Sequence, residues 1–155
     1  MDDRISAIDL DEKSVVRRTP AIEQEREVAI ADLLETSLFK PRGAVCGPYH
    51  LSLSVKENRL VFDISHENGG KVGRILLSLV PFRGIVKDYF LVCDTYYKAI
   101  RDASPSQIES LDMGRRGLHN EGTELLINRL NGKIETDFDT ARRLFTLICV
   151  LHLKV

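Results

Sequence analysis

No run of apolar residues in this sequence is long enough to cross a bilayer. The most apolar stretch, Leu144 to Leu153, is interrupted by Thr146 and His152 and falls far short of the ~20 residues that a spanning helix needs. There is no excess of charge of either sign. With 22 basic and 23 acidic side chains and a net charge of -1, no overall field would gather phosphate backbones or anionic lipid, so neither nucleic acid nor a membrane is expected as a partner. Cysteine is scarce. Cys46, Cys93 and Cys149 are an odd set, and a chain of this size builds a core without a disulfide framework, which points to a reducing compartment. The opening Met1-Asp2-Asp3-Arg4 lacks the basic-then-apolar order of a signal peptide, so a cytoplasmic location is expected.

Local signatures of the most readable enzyme classes are also missing. The chain has no Gly-x-Ser-x-Gly, Walker A, dinucleotide or His-Glu-x-x-His pattern, although a site assembled in space needs none of them. Cys46 with His50, and Cys149 with His152, have spacings that zinc could use. Cys149, however, lies in an apolar helical run and reads as core, so neither a metal nor a cofactor is expected. The glycines of His66-Glu67-Asn68-Gly69-Gly70 precede a strand pattern and not a helix start, so a hairpin turn explains them better than a phosphate loop.

The 155 residues, 43% hydrophobic and 29% charged, have the balance of a globular chain, and one domain spanning 1–155 is expected. Residues 1–18 read as an edge strand or a loose arm. A helix starts at Thr19-Pro20, carries Ile22, Ala29, Ile30, Leu33 and Leu34 at helical spacing, and is expected to end near Phe39. The period then becomes two. Tyr49, Leu51, Leu53 and Val55, followed by Leu60, Phe62 and Ile64, predict a hairpin. A third strand over Val72 to Leu79 completes an antiparallel meander, its Ile75-Leu76-Leu77 run suiting cover on both faces.

From Pro81 onward the pattern is helical. Phe82, Ile85, Val86, Tyr89, Val92, Cys93, Tyr96 and Ile100 form one stripe, and the aromatics on it, with Phe90 and Tyr97, read as core more readily than as a stacking platform. Ser104-Pro105-Ser106-Gln107 has the spacing of a capping box with proline at the first helical position. The seam that follows is Ile108, Leu111, Leu118 and Leu125, and Gly114, Gly117 and Gly122 leave open either a break or a continuous rod. Asn131-Gly132 ends that element. A last helix starting at Asp137 or Asp139 is apolar on nearly all sides and is expected to be central. The fold class is therefore α+β, a meander of three to four strands packed on three to four helices.

The segment Asp112 to Glu124 is the part least explained by folding. It places two guanidinium groups, an imidazole, an amide and three carboxylates within thirteen residues, among glycines that let other groups approach the backbone. Arg115 and Arg116, with Asn120 and Glu124, are candidates for gripping a phosphate or carboxylate. His119 is the candidate general acid or base, oriented by Glu121. The same groups can instead pair among themselves, Asp112 with Arg116, and Arg115 buried against a neighbouring helix. The adjacent pairs Arg17-Arg18 and Arg142-Arg143 read as solvated faces.

The strings Lys87-Asp88-Tyr89-Phe90, Tyr96-Tyr97-Lys98-Ala99-Ile100, Asp112 through Gly122, and Asp137 through Phe145 resemble an uncharacterised family of small alphaproteobacterial proteins, over nearly the whole chain. The resemblance implies a bacterial cytosolic origin and carries no activity, cofactor or catalytic residue. Three functions are thus expected in order: a non-catalytic binding or regulatory protein for an anionic small molecule or an acidic partner surface; an enzyme acting on a phosphorylated or carboxylated substrate; and a homodimer or complex subunit with the polar segment at its interface.

Overall fold

The computed structural model describes residues 2–11, 20–44 and 46–151. In chain order these form β1 (Ile5–Leu10), α1 (Pro20–Glu35), β2 (Phe39–Pro41), β3 (Tyr49–Lys56), β4 (Arg59–His66), β5 (Lys71–Ser78), a 3-10 turn (Val80–Phe82), α2 (Arg83–Asp102), α3 (Pro105–Leu130), β6 (Ile134–Thr136) and α4 (Phe138–Leu151). The class is α+β, as expected.

The period-two segments pair as the pattern predicts. Leu53 opposes Phe62 and Leu51 opposes Ile64, so one face of β3 and β4 is apolar and buried. The tight turn between them takes positive φ at Glu57 and Asn58, which a two-residue hairpin requires. After β4 the chain turns through His66-Glu67-Asn68-Gly69-Gly70, where Gly69 has φ +91 and the His66 amide donates to the Gly70 carbonyl. The glycine-rich loop is a hairpin turn.

Several expectations need correction. The antiparallel meander β3-β4-β5 forms as expected, but the whole sheet is mixed: its order is β1-β3-β4-β5, with β1 running parallel to β3. A parallel neighbour requires a crossover, which α1 supplies. Residues 5–10 thus realise the edge-strand alternative, while residues 12–18 and the Thr19 cap lie outside the described residues. α1 ends at Glu35, short of Phe39. There the chain is drawn off into strand pairing: the Phe39 amide donates to the Asp3 carbonyl, the Leu38 amide to Thr140 Oγ1, and β2 pairs antiparallel with β6. β5 is an edge strand and is not covered on both faces. Leu77 is buried, but Leu76 points the other way and is 44% exposed.

The capping box at Ser104 forms as read. The Gln107 amide donates to Ser104 Oγ and the Ser104 amide to Gln107 Oε1. From there α3 runs unbroken for 26 residues. Its buried line is His119, Gly122, Thr123, Leu126 and Leu130, whereas Ile108, Leu111, Leu118 and Leu125 are only partly buried. The seam shifts because α3 meets α4 at Gly122, where any β-carbon would overlap the Phe145 ring. So close a crossing turns the polar His119 and Thr123 inward. Leu144 to Leu151 of α4 are all buried and share one core with the inward sheet residues and with α1, α2 and α3. α4 is the central helix.

Candidate functional site

Four helices converge on a cavity of about 280 Å³. α3 contributes Arg115, Arg116 and His119, α4 contributes Arg142, Arg143 and Thr146, α1 contributes Glu25 and Asp32, and α2 contributes Tyr89 and Tyr97. Three of the six candidate residues are thus brought together. Asn120, Glu121 and Glu124 are exposed and do not line the cavity. At about 100° per residue, they fall on the far side of α3 from the face that carries Arg115 and His119. Glu121 therefore does not orient His119.

The cationic side of the site is heavily bridged. Asp112 accepts from Arg115 at 2.6 Å and also from Arg116, and these two bonds hold its carboxyl below the usual carboxylate range. Arg115 reaches Glu25 at 3.4 Å and lies over the Tyr96 ring at 4.8 Å. Burial alone would lower its pKa, but the bond to Asp112 and the nearby negative groups raise it, so it stays charged. Tyr89 donates to the second oxygen of Glu25 at 2.9 Å. Arg143 pairs with Asp32 at 2.9 Å. The pairing of Asp112 with Arg116 and the packing of Arg115 against another helix match the self-paired alternative.

Two features escape that network. Arg142, half-buried at the cavity wall, has no side-chain hydrogen bond or ion pair among the described residues. Arg115 Nε and His119 Nδ1 are both buried without a hydrogen-bond partner, where native proteins leave few such atoms.

His119 is 6% exposed and wedged edge-on between the rings of Tyr89 and Phe145, at 5.2 and 5.3 Å. Burial, followed by the charges of Arg142, Arg115 and Arg143, pushes its pKa down to about 4, so the ring is neutral at physiological pH. Its Nε2 lies 2.7 Å from Thr146 Oγ1, which is also 3.3 Å from the Arg142 carbonyl. The single hydroxyl proton cannot serve both. Donation to the carbonyl places the ring proton on Nε2, and donation to the ring places it on Nδ1. Nδ1 is unmatched in either tautomer.

Sequence reasoning missed Arg142, Arg143, Glu25 and Asp32 as site residues. The doublet Arg142-Arg143 was the available signal, but it sits at the cavity wall and not on a solvated face. Both residues are half-buried there, and Arg143 is turned onto Asp32. No group of three or more His, Cys, Asp or Glu that could hold a metal ion occurs among the described residues. No described helix is long and apolar enough to cross a membrane.

Fold and site together define an α+β protein whose four helices form an open, arginine-lined cavity with a neutral histidine in its wall. The chain belongs to the uncharacterised protein family UPF0262, whose family model matches residues 2–154. Its relatives come from alphaproteobacteria. A UPF0262 protein of Caulobacter vibrioides (strain NA1000 / CB15N) is 62% identical over 149 residues, covering 96% of this chain and 92% of the relative. Another, of Rhizobium meliloti (strain 1021), is 59% identical over 149 residues, covering 96% and 94%. A third, of Nitrobacter winogradskyi, is 59% identical over 151 residues, covering 97% and 90%. No solved structure matches.

Proposed function

We propose that this protein is a binding or regulatory protein that recognises an anionic small molecule in the cavity between the four helices. The observation that carries the reading is Arg142, a half-buried residue at the cavity wall whose guanidinium has no ionic partner among the described residues. No Arg142 nitrogen is among the buried atoms without a partner, so its donors are left to solvent and are open to an anion entering the cavity. Arg116, whose side chain is 60% exposed, has donors to spare beyond its bond to Asp112.

The roles differ from a simple two-arginine grip. Arg115 is braced by Asp112, Glu25 and Tyr96 and serves as the frame, while Arg142 and Arg116 are the groups free to meet a ligand. A catalytic role for His119 has less support, since its ring bonds to Thr146 and not to a carboxylate. The test is thermal unfolding of the wild type and of an Arg116→Gln, Arg142→Gln double variant in rising acetate or inorganic phosphate. A saturable rise in Tm that the double variant lacks is expected. Identical responses of the two proteins would overturn the reading.

A further inference from the structure

A second cavity, of about 330 Å³, adjoins the first, and Glu25 and Tyr97 line both. Its walls are of opposite character. Ala21 and Ile22 of α1 face Phe90, Leu91 and Cys93 of α2, with Lys87 and Asp94 as the charged residues beside them. Leu91 is 58% exposed, one of the largest apolar exposures on the molecule. The acid at the junction is already occupied, since Glu25 accepts from both Tyr89 and Arg115, so it does not present a bare charge to an apolar group passing it.

The charge of the polar cavity narrows what it can take. Four guanidinium groups, on Arg115, Arg116, Arg142 and Arg143, stand against three carboxylates, on Glu25, Asp32 and Asp112. One positive charge is left over, and a singly charged carboxylate balances it where a phosphate dianion would leave an excess of negative charge.

We infer that the ligand is an amphiphilic monocarboxylic acid, its carboxylate at Arg142 and Arg116 and its apolar body passing Tyr97 into the cavity lined by Ile22, Phe90 and Leu91. This rests on the anion-binding reading above and adds the class of molecule bound. Each cavity alone is at the small end for a ligand site, and the two in series reach the ordinary range. Glu25 and Tyr97 line both cavities, so the two lie side by side, and that adjacency assigns the apolar one to the body of the same ligand.

Calorimetric titration of the full chain with acetate, hexanoate, octanoate and inorganic phosphate, all below micelle-forming concentrations, tests this. Affinity is expected to rise about fourfold per added methylene, from burial of roughly 0.8 kcal/mol each, with acetate and phosphate weakest. Arg142→Gln should weaken every carboxylate. Leu91→Asp, at an exposed position that tolerates the change, should weaken octanoate at least tenfold and leave acetate unchanged, and Ala21→Leu, which fills the same space from α1, should do the same. Acetate binding that depends on Arg142 with no gain along the series would overturn the inference and leave the anion site standing. Octanoate binding indifferent to both Leu91→Asp and Ala21→Leu would also overturn it. Binding by none of the probes, or octanoate binding indifferent to Arg142→Gln, would remove the anion site as well.

Discussion

Protonation of His119 should set the acid limit of this fold. The ring is enclosed by Tyr89 of α2 and Phe145 of α4, and the charges nearest it are the guanidinium groups of Arg142, Arg115 and Arg143. All of these disfavour a second ring proton, and the folded pKa of about 4 lies below the unfolded value of 6.5. Between those two values the unfolded chain binds more protons than the folded one, so stability falls as pH drops. The contribution is fully present above about pH 6.5 and is lost as pH falls toward the folded value, below which it levels off. At 1.36 kcal/mol per unit the full loss is roughly 3 kcal/mol, a sizeable part of a typical domain's 5–15 kcal/mol. The chain contains no tryptophan, so urea unfolding is best followed by far-UV circular dichroism, at neutral pH and at about pH 4.5. The control is His119→Gln, which can still bond to Thr146 but does not titrate. Wild type should lose about 2 to 3 kcal/mol more than the variant on acidification. Equal losses in the two proteins would refute the argument.

The glycines of α3 should respond with opposite signs. Gly117→Ala meets nothing within 4 Å and Gly114→Ala makes only an ordinary contact with Val92, so each should stabilise by about 0.5–1 kcal/mol in urea titrations. Gly122→Ala drives a methyl into the Phe145 ring and should cost about 1–3 kcal/mol or more. Ser104→Ala removes one half of the capping box and should cost about 1 kcal/mol, with Ser104→Asp recovering most of it. In a thiol-modification assay on the folded protein at neutral pH, Cys46, which is partly exposed, should react. Cys93 and Cys149 are buried, and burial followed by the charge of Glu25 pushes their thiols up, Cys93 to about 11; both should react only on unfolding.

What could be read from the sequence, and what could not, divides by range. The Tyr49 to Ile64 alternation and the Ser104-to-Gln107 cap are written in neighbouring residues, and both elements appear where the spacing puts them. β1 carries Ser6, Asp9 and a register shift near Ile5, and it becomes a strand only because β3 offers an edge some forty residues later. β2 and β6 are three residues each, too short for any period to show. Ile75-Leu76-Leu77 misleads for a related reason: continuous apolarity is the same in a covered strand and in an edge strand that leaves one leucine in water. The site follows the same rule. Arg115, Arg116 and His119 stand out because they are adjacent, and helical geometry separates them from Glu121. Glu25 and Arg142 join them only through the packing of α1 and α4 against α3.

The floor of the cavity is a helix with nowhere to move. From Leu144 to Leu151 every residue of α4 is buried, with Thr146 at the cavity wall, so its amides should be among the last to exchange with deuterium. A molecule held by Arg142 would therefore slow exchange across the entire core and not merely around its own binding groups.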